Sequence, residues 1–191
     1  MRKLLAICSL LWALGAAAIT PKDIAVQLQN NPQIHGDFTQ LRYLRGMSEP
    51  LESSGNFAIS AEQGLWWAPQ KPFVALLKVS PRGVLQWQNG RWQDMSQQAG
   101  NTQVRLFLSL LGGDWDELES GFTLEAQGDI DGWTLTLIPK YSTLQQVLEK
   151  IVVRGDQIIR EIDISEAQGD RSELHFSDVT RGLPDDPRMR P

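Results

Sequence analysis

The sequence predicts a mainly β fold with helices (α+β), built on one antiparallel sheet curved strongly enough to enclose an apolar interior. Three observations predict it. From residue 34 onward, runs of alternating apolar and polar residues recur between turn signals. Two tryptophans, Trp66 and Trp67, stand side by side in one of those runs. One segment, 102–111, breaks the alternation with helical spacing and an apolar stripe wider than a surface helix carries.

The elements follow in order. Thr20 is placed to cap a helix, with Pro21 at its first position and Asp23 in its first turn. Ile24 and Leu28 share one face of it, and "NNP" at 30–32 stops it. "IHGDFTQLRYL" then alternates, with Ile34, Gly36, Phe38 and Gln40 on one side, and "SGNFAIS" puts Phe57 beside Ile59. "PFVALLKV" (72–79) also reads as a strand. Turn signals follow at Asn89-Gly90, Asp131-Gly132, Gly155-Asp156 and Gly169-Asp170. Asn-Gly and Asp-Gly suit hairpins in which both turn residues take positive φ. The whole reads as an antiparallel meander of about nine to eleven strands. In 102–111, Val104, Phe107, Leu108 and Leu111 form one row and Leu106 and Leu110 a second, so this helix needs cover on more than one side. The tail "RGLPDDPRMRP" is expected to be extended or mobile.

The tryptophans bear most on function. Beyond residue 18 the chain holds Trp66, Trp67, Trp87, Trp92, Trp115 and Trp133. Each alone reads as core. Neighbours in a strand point to opposite faces, however, so Trp66 and Trp67 demand apolar cover on both sides of the sheet. A curved sheet with helices on its concave side meets that demand, and half-open barrels of this kind hold apolar ligands.

The first 18 residues are set apart. Arg2 and Lys3 precede the apolar "LLAICSLLWALG", and Ala16, Ala17 and Ala18 supply small residues, as in a cleavable export signal. The apolar run from Leu4 to Ile19 is short for a spanning helix. The expected organisation is a signal peptide, 1–18, and one domain, 19–191, delivered to the periplasm. Loss of the signal removes Cys8, the one cysteine, so neither a disulfide nor thiol chemistry is expected. Loss of Arg2 and Lys3 takes the net charge from −5 to −7, which gives no electrostatic reason to hold nucleic acid or an anionic membrane surface.

Catalytic signals are few. His35 and His175 each stand alone in a strand pattern, short of the three or four ligands of a zinc site. There is no G-x-S-x-G elbow, no phosphate loop and no dinucleotide fingerprint. "DIDG" (129–132) lacks the downstream glutamate of a calcium loop and reads as a hairpin turn, as does "RGD" (154–156). Neither a cofactor nor a metal is expected, and no enzyme activity.

Together, "GDFTQ" (36–40), "SSGNFAIS" (53–60), "GLWWAPQKPF" (64–73) and the long stretch from "WTLTLIPK" to "ELHFSDV" (133–179) resemble, in order and spacing, the LolA-like family of periplasmic outer-membrane lipoprotein carriers. The resemblance covers nearly the whole chain after the leader and is nearest to a divergent branch often encoded beside exporters. It implies an open antiparallel β-barrel, a LolA/LolB-like half-barrel, closed by a helical lid. It implies lipoprotein acyl chains as cargo, an inner-membrane release complex as donor, an outer-membrane acceptor and no cofactor. In one respect the chain departs. Family carriers place an arginine before a proline just after the "SSGNFAIS" strand, where it latches the lid; "ISAEQG" (59–64) has none.

The expected acyl cavity and lid comprise Phe38, Phe57, Trp67, Leu77, Trp87, Phe107, Leu111 and Trp115. One of Trp66 and Trp67 is expected to line it and the other to lie under outer cover. Three rival readings stand beside the carrier: an accessory lipid or glycolipid factor for a neighbouring exporter, a lipid or ester hydrolase, and a structural envelope protein filled by its own side chains. Nothing in the sequence demands a partner chain, so a monomer is expected.

Overall fold

The computed structural model describes residues 18–95, 110, 115–186 and 188. The expected signal, except Ala18, and the expected helix over 102–111, except Leu110, lie outside those residues, as do Phe107 and Leu111. The first helix is α1 (Pro21–Gln29). The Thr20 hydroxyl accepts from the Asp23 N–H while the Asp23 carboxylate accepts from the Thr20 N–H, a reciprocal cap that fixes where the helix begins. Ile24 and Leu28 are buried beneath it, as their spacing predicts.

Eleven strands form one antiparallel sheet. They are β1 (Gln33–Tyr43), β2 (Leu51–Ser60), β3 (Gly64–Lys71), β4 (Leu77–Ser80), β5 (Gly83–Gln88), β6 (Arg91–Asp94), β7 (Phe122–Asp129), β8 (Gly132–Pro139), β9 (Leu148–Gly155), β10 (Ile159–Glu166) and β11 (Arg171–Arg181). Among the described residues, the short helices α2 (Trp115–Gly121) and α3 (Ser142–Gln145) accompany them, and Leu110 is also helical. The spatial order is β6-β5-β4-β3-β2-β1-β11-β10-β9-β8-β7. The first and last strands therefore pair at the centre, and the two edges come from mid-chain. The connection from β6 to β7 must travel from one edge to the other. Its described residues Leu110, Trp115 and Leu118 join α1 in covering one face of the sheet, packed in one cluster with Phe38, Phe57, Leu135 and Phe176.

Turn chemistry accounts for the register. Asn89 and Gly90 both take positive φ, 51° and 78°, as an Asn-Gly hairpin requires. At the Asp131-Gly132 signal the outcome differs. Asp129 pairs with Gly132, so Ile130 and Asp131 are the loop and Gly132 opens β8; the Asp129 carboxylate holds the turn by accepting from the N–H groups of Asp131 and Gly132. The strand expected over 72–79 is confined to its last residues, as β4. Pro72 has no N–H to continue the ladder, and the Ala75 N–H turns back to the Pro69 carbonyl. Phe73 and Val74 are left 82% and 77% exposed. Beyond β11 the chain bends at Gly182, whose φ is 91°, and Leu183 packs against the cluster around Trp66.

Candidate ligand-binding face

Side chains of directly paired residues share a face of an antiparallel sheet. One such row runs Gly36, Phe57, Trp67, Leu77 and Gln86 across β1 to β5. Phe38 stands two residues along from Gly36, on the same face. It is stacked on Trp67 with ring centroids 3.6 Å apart and planes 22° apart, and Phe57 meets Phe176 edge-on at 4.8 Å. Gly55, opposite Phe38, sits so close to the Ala68 carbonyl that any Cβ there would collide. This is the face that α1 and α2 cover. Trp115 is buried in the same cluster, and its Nε1 has no hydrogen-bond partner among the described residues.

One hollow at this face, between Leu28, Asn31, Ile34, Phe57, Ile158 and Phe176, measures about 10 Å³, room for roughly one water.

The other face has its own, smaller apolar cluster. Ala58, Trp66 and Leu76 are buried there, flanked by Ala68, Trp87, Trp92 and Leu183. The Lys78 ammonium lies 4.7 Å from the Trp66 ring centroid, and Trp87 meets Trp92 edge-on at 5.3 Å. Next to this cluster runs a groove of about 460 Å³ lined by His35, Asp37, Asn56, Trp87, Asp178 and Asp186 among others. Its polar groups bond largely to one another. Asn56 Nδ2 donates to Asp37 Oδ1 at 2.5 Å, and His35 Nδ1 lies 2.9 Å from the Gly182 carbonyl. The Arg188 guanidinium holds the Asp186 carboxyl below the usual carboxylate range.

Of the residues expected to line one cavity, the fold brings together Phe38, Phe57, Trp67, Leu77 and Trp115 on the helix-covered side. Trp87 is separated from them. Leu77 pairs with Gln86, which puts Trp87 one residue out of phase and on the face of Trp66. Trp66 and Trp67 do face opposite ways, each with its own apolar surroundings. The groove is absent from the sequence reading. The tail residues Pro184, Asp186 and Arg188 that line it carry no local signal of that role. No group of three His, Cys, Asp or Glu side chains that could hold a metal occurs among the described residues, and no described helix is long and apolar enough to cross a membrane.

A family model for the outer membrane lipoprotein carrier protein LolA matches residues 29–188. This chain belongs to the LolA family. An outer-membrane lipoprotein carrier protein of Methylococcus capsulatus is 24% identical, the match covering 98% of this chain and 91% of that protein. Among solved structures, a LolA superfamily protein of Nitrosomonas europaea is 11% identical with a TM-score of 0.49, covering 88% of this chain and 96% of its own. The Mycobacterium tuberculosis lipoprotein LppX is also 11% identical, with a TM-score of 0.45, over 85% and 98% of the two chains. The family assignment rests on the sequence match. LolA proteins are lipoprotein carriers without enzymatic activity.

Proposed function

We propose that this LolA-family chain is a periplasmic carrier that takes the acyl chains of a lipoprotein, or of a related lipid, against its helix-covered face and ferries them from the inner to the outer membrane. The observation that carries the reading is the composition of that face. Phe38, Phe57, Trp67 and Trp115 pack in one apolar cluster under helices from two separate parts of the chain, with Leu77 paired beside Trp67 on the same face. Each methylene hidden from water contributes about 0.8 kcal/mol, so a long acyl chain does not cross an aqueous compartment unshielded. The hollow between Leu28, Phe57 and Phe176 measures about 10 Å³, so in this reading the covered face opens to admit cargo. In this reading the sheet is the wall of an open half-barrel, and α1, α2 and the segment carrying Phe107 and Leu111 form the lid that moves.

The same reading makes residues 1–18 a signal that is removed and residues 19–191 one monomeric domain. It has an inner-membrane release complex or exporter as donor and an outer-membrane acceptor as destination. The arginine missing from Ile59–Gly64 favours a second version, in which the chain hands a lipid or glycolipid to a neighbouring exporter.

Native mass spectrometry of residues 19–191, prepared from a Gram-negative periplasm without detergent, tests the proposal. Co-purified acyl lipid is expected, and its mass separates lipoprotein from glycolipid. Trp67→Asp is expected to abolish it while circular dichroism shows the sheet intact, and the double change His35→Ala and His175→Ala is expected to leave it unchanged. A lipid-free mass, together with failure to take up a fluorescent fatty acid, would leave the aromatic face as packed core and sink the carrier reading.

A further inference from the structure

The exposed apolar side chains are distributed unevenly between the two ends of the sheet. At one end stand Met47, Leu51, Phe73, Val74, Tyr141 and Val147, each at least half exposed. They come from three connections, β1–β2, β3–β4 and β8–β9. Pairing places these together. Ser54 pairs with Lys71, so the β1–β2 and β3–β4 connections leave the same end. The Arg45 N–H donates to Asp170 in the β10–β11 turn at 2.9 Å, and the Ala167 N–H of that turn donates to the Val147 carbonyl. The opposite end has Val26 and Ile130.

Each of the three connections also sets a cation beside its apolar tip: Arg45 near Met47, Lys71 near Phe73, Lys140 beside Tyr141. Two carboxylates of this end are matched by other arginines, Glu166 by Arg42 at 3.3 Å and Glu173 by Arg171 at 2.9 Å. Glu49 and Glu52 lie there too, so the end is not a basic patch and charge alone would not hold it to a surface.

From this arrangement we infer that the end is a membrane-contact rim, which seats its apolar tips in the headgroup layer of a phospholipid bilayer. It rests on the carrier reading for its purpose, since the donor and acceptor of that reading both sit in bilayers that the chain must approach. The geometry favours lipid over a protein partner. The tips are separate and protruding, and a protein would need a distinct pocket for each. A bilayer interface accommodates dispersed apolar tips, takes tyrosine at the headgroup level, and lets lysine and arginine reach phosphate while their stems stay in apolar surroundings.

The test is flotation of residues 19–191 with vesicles of phosphatidylethanolamine and phosphatidylglycerol. The wild-type chain is expected to float, with little change on adding salt because apolar burial dominates. Combining Phe73→Ser with Val74→Ser is expected to lower vesicle affinity about tenfold or more, since two large apolar groups then stay in water. Tyr141→Ser should lower it less, and Ile130→Ser at the far end should leave it unchanged. All these side chains are exposed, so the fold should survive each change. A wild-type chain that stays at the bottom of the gradient overturns the rim, as does equal flotation of every variant. Retention on a protein acceptor with no vesicle binding also overturns it. Uptake of a fluorescent fatty acid is measured on the same samples in solution. Uptake without flotation removes the rim and leaves the carrier; flotation without uptake removes the carrier and leaves the rim.

Discussion

The two faces of the sheet differ in what surrounds their empty space. The helix-covered face holds a hollow of about 10 Å³ lined by apolar side chains and Asn31, while the opposite face borders a groove of about 460 Å³ rimmed by Asp37, Asp178 and Asp186. By size alone the groove would be the natural site for a ligand. An acyl chain laid there would displace water from carboxylates without replacing its hydrogen bonds, and burial of unsatisfied charge costs more than the methylenes return. In the carrier reading the acyl chains go to the helix-covered face, whose Phe38, Phe57 and Trp67 match the cargo, once the helices move. Volume in one static state and suitability for a ligand are separate properties here.

The largest expected effect separates the two tryptophans. Trp66 is fully buried on the groove side, so Trp66→Ala should cost about 3–5 kcal/mol in urea unfolding while the folded fraction still takes up fatty acid. Trp67 is only partly buried, so Trp67→Ala should cost less, about 2 kcal/mol, and should lower fatty-acid affinity several-fold. If Trp66→Ala impaired uptake as much as Trp67→Ala did, the two faces would not be functionally distinct.

A smaller effect tests the hairpin that sets Trp87 opposite Trp92. Asn89 holds φ of 51°, where a residue other than glycine or asparagine is strained. Asn89→Ala should cost about 1 kcal/mol in thermal unfolding, and Asn89→Gly close to nothing. Neither should alter fatty-acid uptake, because Trp87 and Trp92 lie away from Phe38 and Trp67.

Much of this architecture was legible in the sequence because its signals are local. Thr20, Pro21 and Asp23 mark the start of α1, and Asn89-Gly90 marks a hairpin, by chemistry contained within a few residues. The opposed facing of Trp66 and Trp67 follows from strand geometry alone. Trp87 was not assignable in this way. Its face depends on phase carried from β3 through β4 and β5, and Pro72 had already shortened β4 from the strand that "PFVALLKV" suggested. The groove depends on Pro184 and Asp186 returning beside His35 and Asp37, a juxtaposition across more than a hundred residues that no periodicity reports. Phe107 and Leu111 remain expectations from helical spacing.

The smallest effect concerns the cover of the acyl face itself. In the folded chain the Asp23 carboxyl is held below its ordinary value of 3.8, first by the Thr20 hydroxyl and then by the Thr20 N–H. A carboxyl whose folded value is depressed stabilises the fold above its unfolded value, and that contribution disappears as the pH falls through the folded value. The Asp23 half of the cap should therefore be intact at neutral pH and begin to weaken near the unfolded value for aspartate, about 3.9. It should be lost only as the pH falls through the lower folded value, while the bond from the Asp23 N–H to the Thr20 hydroxyl does not titrate. Thr20→Ala should remove about 1 kcal/mol at pH 7 and less at acid pH, where the bond to the Asp23 carboxylate is already weakened. Because α1 packs through Ile24 and Leu28 against the same cluster as Phe38 and Phe57, its loosening should speed fatty-acid entry at that face. Amide exchange along α1 and stopped-flow uptake, each measured with and without Asp23→Asn, would show whether cap and cover are linked. Faster exchange with unchanged entry would mean that cargo reaches Trp67 by way of α2 and the segment before it, leaving α1 as fixed wall.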